Sequence, residues 1–158
     1  MRQFHLNASQ RKSNLWLGGL TTLGLLIIAA ILGQIAANVE TGTNLMLVVM
    51  GVTSGVLVRG STKRGWTYAM AEKGSPIPFT WTAKRRLGVL WRTVAVLFIG
   101  LLIIGGLDGL AAGDVVLALF MAFALIAITT SGILVGLRYG WNEAQASVQS
   151  IDRAGVTP

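Results

Sequence analysis

The sequence contains no cysteine, and it has only one histidine and six acidic residues. The absence of thiols excludes disulfides, thiolate metal sites and cysteine nucleophiles. The single histidine, His5, has no second histidine with which to hold a haem or a metal ion. The chain also lacks a phosphate-binding loop, a nucleophile elbow and a dinucleotide fingerprint. The sequence therefore predicts no catalytic site, no metal site and no cofactor.

Charged residues are scarce in the chain as a whole. They make up 12% of the 158 residues, whereas hydrophobic residues make up 53%. Soluble domains have about 25% charged residues, and a soluble fold of this size could not cover so much apolar surface with so few. The net charge of +7 comes from thirteen Lys and Arg that are confined to particular segments. This composition predicts an integral membrane protein.

Four apolar segments stand out along the chain. A helix needs about 20 residues to cross the hydrocarbon core of a bilayer, and three of the segments reach that length. The second is shorter, so its flanks, a thinned bilayer or neighbouring helices have to complete it. The first is too long for the core of a signal peptide, and we interpret it as a retained helix. We expect an all-α integral membrane protein with four transmembrane helices at about 15–37, 45–58, 87–107 and 115–137.

The basic residues all lie on one side of this predicted arrangement. Arg2, Arg11 and Lys12 precede the first segment, and seven Lys or Arg lie between the second and third. The other two connections contain no Lys or Arg. By the positive-inside rule, both termini and the middle connection are cytoplasmic. We expect an N-in, C-in protein of a bacterial inner membrane.

The middle connection, 59–86, also contains aromatic residues among its Lys and Arg, namely Trp66, Tyr68, Phe79 and Trp81. This combination suits the lipid headgroup layer, so a short interfacial helix in contact with headgroups is one interpretation. A solvated basic loop that only sets the topology is an equal alternative. Nucleic-acid binding uses the same residue types, but proximity to the membrane already accounts for them, so we expect no nucleic acid.

Short motifs recur in the same order in the two halves of the chain, which indicates an internal duplication. Apolar runs match by chance, but the Thr-Ser-Gly and Gly-Trp motifs recur at equivalent points of the predicted topology. The recurring motifs are Leu15-Trp16 with Leu90-Trp91, the Gly-Leu-Leu-Ile-Ile runs at 24–28 and 100–104, Thr53-Ser54-Gly55 with Thr130-Ser131-Gly132, and Gly65-Trp66 with Gly140-Trp141. Phe4 has a rough counterpart in Phe79.

The spacing of these motifs is nearly constant. We call the distance along the chain from Trp66 to Trp141 the repeat offset, and Leu15 and Leu90 are separated by the same distance. The Gly-Leu-Leu-Ile-Ile runs are separated by one position more and the Thr-Ser-Gly motifs by two positions more. We expect the two halves to superimpose with Leu15 on Leu90, Ser54 on Ser131 and Trp66 on Trp141.

The duplication divides the chain into two helical hairpins, 1–74 with the basic interfacial segment and 75–158 with the cytoplasmic tail. Each unit holds an even number of membrane crossings, so the two hairpins have the same orientation. We therefore expect a parallel repeat about an axis along the membrane normal. Such a chain resembles a dimer of hairpins joined into one polypeptide.

Small and hydroxyl-bearing residues recur within the apolar segments. Glycine at four-residue spacing lets helix backbones approach closely in lipid, and we expect this packing role for Gly33, Gly51, Gly55, Gly132, Gly136 and Gly140. Hydroxyls inside a membrane bond to the carbonyl one turn back or to another helix. The intramembrane hydroxyls are Thr53, Ser54, Thr129, Thr130 and Ser131.

Five residues are predicted to anchor the helices at the membrane interface. Trp16, Trp66, Trp91 and Trp141 lie near the predicted helix ends, where an indole keeps its N–H hydrated and its ring among acyl chains. Arg92 lies about one turn inside the third segment and is expected to extend its guanidinium to the cytoplasmic face.

The chemistry of the chain favours a structural role. We expect a non-enzymatic subunit or scaffold of a multi-protein inner-membrane complex of the secretion, conjugation or envelope type. Its partners would be other membrane proteins or further copies of itself. A small oligomeric channel or carrier, formed around the hydroxyl-bearing helices, is the alternative. A membrane enzyme is the least favoured class, because His, Asp and Glu are not clustered.

Overall fold

The computed structural model describes residue 4 and residues 6–35, 39–74, 77–105 and 114–154. These residues form four α-helices and no strand, which confirms the predicted all-α class. The connections at 36–38 and 106–113, where the first and third predicted spans end, lie outside the described residues. The helices are α1 (Ala8–Ile35), α2 (Val39–Lys73), α3 (Ala83–Gly105) and α4 (Asp114–Ala154).

Helices α1 and α3 begin with equivalent N-caps. At the start of α1, the backbone N–H of Gln10 donates to Asn7 Oδ1 (2.9 Å), and the N–H of Asn7 donates to Gln10 Oε1 (3.0 Å). This is a capping box, in which two otherwise unpaired N–H groups are satisfied. At the start of α3, the N–H of Arg85 donates to Thr82 Oγ1 (3.3 Å). The capping residues Asn7 and Thr82 are separated by the repeat offset.

Helix α2 is much longer than the apolar segment from which it was predicted. It has 35 residues and continues through Arg59 and Lys63 to Lys73, so it is about 52 Å long at 1.5 Å per residue. It ends at Lys73 and is followed by Gly74, whose φ of 62° is the left-handed conformation that glycine adopts without strain. Residues 59–73 are therefore neither a separate interfacial helix nor a loop. They continue α2 because their inner face packs on α4.

Helix α4 likewise extends beyond its predicted span of 115–137. It has 41 residues and reaches Ala154. Its continuation packs on the continuation of α2 through a cluster that includes Trp66, Ala69, Trp141 and Ala144. Burial of these apolar side chains holds the two continuations together.

The central pair of the bundle is α2 and α4, which pack along most of their lengths. Helices α1 and α3 lie at the outside, and each packs on both members of the central pair. Among the described residues, α1 and α3 do not contact each other. Each outer helix thus rests partly on the central helix of the other half of the chain.

Large apolar side chains are exposed around the bundle. They lie within 15–31 of α1, 45–56 of α2, 87–99 of α3 and 123–134 of α4, and we call these segments the apolar band. Monomeric soluble proteins rarely expose continuous apolar patches of more than a few hundred Å². Within the described residues, three helical segments are long and apolar enough to cross a membrane, namely Ala8–Ala29, Asn44–Lys73 and Ala122–Ile151. These are the features of a membrane protein.

Candidate functional site

In the described part of the chain, α2 and α4 cross closely at two glycines. A Cβ atom built on Gly140 would overlap the carbonyl group of Thr62 and lie 2.9 Å from the backbone nitrogen of Trp66. A Cβ atom on Gly65 would overlap the carbonyl group of Leu137 and lie 2.9 Å from its Cα. The obstacles are backbone atoms, which side-chain rotation cannot move. Only glycine fits at these two positions in this arrangement.

The close approach continues one turn towards the apolar band. A Cβ atom on Gly136 would lie 2.6 Å from the carbonyl oxygen of Val58 and 2.8 Å from the Cβ of Ser61. At Gly132 the spacing is ordinary, since an added Cβ would meet Leu57 Cβ at 3.7 Å. The crowding therefore increases from Gly132 to Gly140.

The remaining predicted packing glycines lie away from this crossing. An added Cβ would come no closer than 3.9 Å to Leu97 at Gly51 and 3.8 Å to Thr93 at Gly55, both residues of α3. Gly33 belongs to α1, and its surroundings lie outside the described part of the chain. The predicted packing glycines did not include Gly65, which has Ser61 and Ala69 at four-residue spacing. Its place in the recurring Gly-Trp motif was the signal for it.

The crossing of α2 and α4 is reciprocal. Gly65 faces Leu137, and Gly140 faces Thr62. Gly140 follows Gly65 by the repeat offset, and Leu137 follows Thr62 by the same distance. Ser61 faces its own counterpart, Gly136. Contacts of this kind are those of an isologous interface, in which residue i meets j and the copy of j meets the copy of i.

Two aromatic contacts repeat the same reciprocity at the basic end of the bundle. Phe79 packs edge-on against Trp66, with ring centroids 5.6 Å apart. Phe4 packs edge-on against Trp141, with centroids 5.5 Å apart. The two phenylalanines are separated by the repeat offset, as the two tryptophans are. In each pair the phenylalanine comes from one half of the chain and the tryptophan from the other.

Burial along α2 and α4 also follows the repeat offset rather than the spacing of the Thr-Ser-Gly motifs. Ser54 is buried, and so is Thr129, which follows it by the repeat offset. Ser131, which the sequence motif aligns with Ser54, is only half-buried. Further buried pairs with the same separation are Met50 and Leu125, Val58 and Ile133, Thr62 and Leu137, Trp66 and Trp141, and Ala69 and Ala144.

The predicted intramembrane hydroxyls do not form one cluster. The Thr129 and Thr22 hydroxyls are hydrogen-bonded to each other (2.8 Å), which links α4 to α1. Thr129 also donates to the carbonyl of Leu125 (2.9 Å), one turn back. Ser54 lies buried in α2, Thr53 and Ser131 are half-buried, and Thr130 is exposed.

Arg85, at the start of α3, is buried beneath an aromatic ring. Its Nη1 donates to the carbonyl oxygen (2.7 Å) and the hydroxyl (3.2 Å) of Thr80, and its Nη2 donates to the Ser147 hydroxyl (3.2 Å). The guanidinium lies 4.2 Å from the Trp66 ring centroid, and Nε lies 3.6 Å from the Glu143 carboxylate. A buried charge is tolerated when it is paired and hydrogen-bonded in this way. The cluster joins α2, α3 and α4, and sequence reasoning missed its acidic member, Glu143.

The four tryptophans predicted to anchor the helices fall into two classes. Trp16 and Trp91 are 63% and 67% exposed on the outer helices, as interface anchors have to be. Trp66 and Trp141 are each 2% exposed, because they fill the junction between the continuations of α2 and α4. Their indole rings face protein rather than lipid, so they differ from the predicted anchors.

The Arg92 side chain bends towards the start of α3. Its Nη1 donates to the carbonyl of Gly88 (2.9 Å), one turn back. Its guanidinium lies 3.7 Å from the ring centroid of Tyr139 on α4. The side chain therefore runs towards the start of α3, and a cation–π contact holds it there.

Two grooves lie between the outer helices and the central pair. The α1–α4 groove has a volume of about 620 Å³, and the α2–α3 groove about 550 Å³. They occupy equivalent places, because residues separated by the repeat offset line both of them. These pairs are Arg11 and Arg86, Leu15 and Leu90, and Gly18 and Thr93. The grooves differ at their basic ends, where the second has Arg59 and Trp81.

Within the described residues, no three His, Cys, Asp or Glu side chains lie close enough together to hold a metal ion. Comparison with known proteins finds no matching family model, no similar curated protein and no similar solved structure. The fold and the contacts are thus the basis of any functional conclusion.

Proposed function

We propose that this protein is a four-span membrane subunit built as two tandem, parallel hairpins, 1–74 and 75–158. The observation that carries the duplication is the reciprocal crossing of Gly65 and Gly140, together with the start of α3 one repeat offset after that of α1. Helix α3, with 23 residues, is about 34 Å long, which is enough for the fourth span.

The basic end of the bundle faces the cytoplasm in this proposal. The start of α3 carries Lys84, Arg85 and Arg86, and the continuations of α2 and α4 carry further Lys and Arg. Such residues are retained on the cytoplasmic side of bacterial inner membranes. Both termini lie on this side, and the basic segment 59–86 adjoins the lipid headgroups.

Introduced cysteines test the orientation cleanly, because the chain has none of its own. An impermeant thiol reagent applied to intact cells should label Thr43→Cys and Ala111→Cys but not Thr67→Cys. After the cells are opened, Thr67→Cys should also react, since Thr67 is exposed. Labelling of Thr67→Cys in intact cells would contradict the orientation.

The proposed activity is that of a non-enzymatic scaffold in a multi-protein membrane complex. Beyond the apolar band, α2 and α4 continue as a packed pair, 59–73 and 138–154, which we call the projection. Its exposed side chains include Lys63, Thr67, Arg138 and Asn142, so a polar helical surface stands at the membrane face. Because buried tryptophans hold the pair together, the projection offers a preorganised surface to a partner protein.

Purification in mild detergent tests the scaffold role. The wild-type chain should co-purify with other membrane proteins in a fixed stoichiometry. Lys63→Glu combined with Arg138→Glu should release them, since both residues are exposed on the projection and reversed charges oppose docking. Val48→Leu combined with Val52→Leu, on the lipid-exposed face of α2, is the control and should retain the partners. A chain that purifies alone under all these conditions would refute the role.

A channel or carrier is less well supported by the contacts. The hydroxyls of Thr62, Thr93 and Thr129 each donate to the carbonyl one turn back in the same helix. Hydroxyls bonded in this way serve their own helix rather than a solute path. Proteoliposomes that contain the purified chain should therefore show no flux of ions above that of empty liposomes, and measurable flux would favour the alternative.

A further inference from the structure

The α2–α3 groove combines an apolar body with a cationic end. Its sides are formed by Val52 and Val56 of α2 and by Val89 and Leu90 of α3. Its volume of about 550 Å³ lies within the range of small-molecule sites. The groove lies within the apolar band, so an apolar ligand could enter it directly from the bilayer.

Two glycines keep this groove open. Gly51 and Gly55 lie along the α2 side, and a Cβ atom on Gly55 would reach within 3.8 Å of Thr93 Cγ2 across the groove. Any larger side chain at Gly55 would occupy the space between the two helices. The small residues therefore form the floor of a lengthwise depression between α2 and α3.

The basic end of the groove carries two guanidinium groups. Arg59 lies with its Cζ 5.0 Å from the Trp81 ring centroid, so the ring holds it in place. Arg86 is one turn from Leu90 on the same side of α3. The two salt bridges found among the described residues use Lys84 and Arg85 instead. Both arginines thus remain available to an anion at the edge of the apolar band.

We propose that the α2–α3 groove binds one anionic phospholipid of the cytoplasmic leaflet, with an acyl chain along Gly51 and Gly55 and the phosphate between Arg59 and Arg86. Guanidinium groups bind phosphate through paired N–H donors. Arginine at the membrane edge adds attraction to anionic lipid beyond the contact of the acyl chain. This inference rests on the membrane insertion and orientation proposed above, but it does not require the scaffold role.

The α1–α4 groove supplies an internal control for charge. Arg11 corresponds to Arg86, but Nε of Arg11 already donates to the carbonyl of Leu6 (3.0 Å). Leu134 stands in the place of Arg59. This second groove has a similar volume and a more apolar lining, so it accepts an acyl chain without selecting an anionic headgroup.

Native mass spectrometry of the purified full chain tests the proposal. Phosphatidylglycerol and phosphatidylcholine with identical acyl chains are titrated separately, and one phosphatidylglycerol should bind in preference. At about 1 kcal/mol for each arginine, Arg59→Gln and Arg86→Gln should each weaken that binding about fivefold. The matched control Arg11→Gln should leave it unchanged. Equal binding of the two lipids by wild-type protein, or an equal loss in all three variants, would overturn the proposal.

A variant of the groove itself separates acyl-chain binding from a general attraction to charge. Gly55→Leu should reduce phosphatidylglycerol binding while both arginines remain, because the leucine fills the space of the acyl chain. Inorganic phosphate at millimolar concentration should not compete with the lipid. Unchanged binding by Gly55→Leu, or full competition by phosphate, would show that only the surface charge binds. Thiol labelling of the cysteine variants in intact cells reports the orientation separately from these outcomes.

Discussion

Glycine has opposite roles in the α2–α4 interface and in the α2–α3 interface. At Gly65 and Gly140 the missing side chain is replaced by the backbone of the facing helix. At Gly51 and Gly55 the missing side chain leaves an open groove. The same residue type therefore closes one interface and opens the other. What differs is the facing surface, which is a glycine-bearing helix in the first case and a helix with Thr93 and Leu97 in the second.

This contrast separates a rigid part of the molecule from an adaptable one. Backbone contacts in the central pair have no side-chain freedom with which to adjust, so a small change there has a large effect. The interfaces of α1 and α3 with the central pair contain exposed side chains and open volume, so they accommodate substitutions more easily. We expect the effects of substitutions to rank in that order.

The largest effect should come from filling the central crossing. Gly140→Leu or Gly65→Leu should destabilise the protein by about 3 kcal/mol, the upper end of the range for overpacked cores, because the facing backbone cannot move aside. Unfolding of the purified protein in mild detergent measures this loss. Gly55→Leu, whose side chain would enter the open groove, is the matched comparison and should lose far less. Equal losses of stability at all three positions would remove the distinction between the α2–α4 and α2–α3 interfaces.

The second effect concerns the buried cation that ties α3 to the central pair. Arg85→Met should destabilise the protein by about 2 kcal/mol, because it removes charge-assisted hydrogen bonds and leaves Glu143 without its buried partner. The neighbouring Lys84, whose side chain is 85% exposed and 3.9 Å from Glu143, provides the control. Lys84→Met should change stability by less than about 0.5 kcal/mol. A larger loss from Lys84→Met than from Arg85→Met would contradict the assignment of Arg85 as the linking residue.

A smaller effect should follow from the hydroxyl pair that joins α1 to α4. Thr22→Val should cost about 0.6 kcal/mol, the average for interhelical hydrogen bonds within membranes. Thr21 offers the control, since its hydroxyl donates to the carbonyl of Leu17 in its own helix (2.8 Å). A double-mutant cycle between Thr22 and Thr129 measures the coupling directly. A coupling energy of zero would mean that packing alone holds α1 against α4.

The smallest effect should be a gain in stability. Gly60 lies in the interior of α2, is exposed, and has no atom within 4 Å of an added Cβ. Gly60→Ala should stabilise the protein by about 0.5 kcal/mol, because alanine restricts the unfolded backbone and is the better helix former. The comparison with Gly140→Ala is direct, since the two glycines differ chiefly in what faces them. Destabilisation by Gly60→Ala would indicate a neighbour that the isolated chain does not show.

The helices were predictable because three of the four apolar segments reach the length of a membrane span and all four are bounded by basic or turn-forming residues. Their extension was not, because Arg59 to Lys73 resembles a polar connection in composition. The burial of Trp66 and Met70 against α4 makes the helix continue, and such a tertiary contact leaves no mark in the local sequence. The burial of Trp141 was not predicted for the same reason. Its polarity suits a membrane interface, but in the structure its side chain packs against α2.

The candidate site was visible only in part. Spacing singled out Gly136 and Gly140, yet it treated Gly51 and Gly55 in the same way, because spacing does not reveal which helix lies opposite. The recurring motifs paired Ser54 with Ser131, whereas burial pairs Ser54 with Thr129. A helix tolerates no slip of two positions without turning its buried face outwards. Glu143 gave no signal, because a single acid in a polar segment is unremarkable until Arg85 is placed beside it.

Ser61 and Gly136 face each other where the two halves of the chain meet, and this has a consequence for their divergence under the proposed duplication. In a dimer of separate hairpins, a residue on the two-fold axis has to face an identical copy of itself. The Ser61 Cβ lies 2.8 Å from where a Cβ of Gly136 would be, so two serines would collide in this arrangement. Covalent linkage removes the requirement for self-complementarity, and each copy then changes independently. The same freedom permits arginine at position 59 and leucine at position 134, which gives one bundle two chemically different faces towards the lipid.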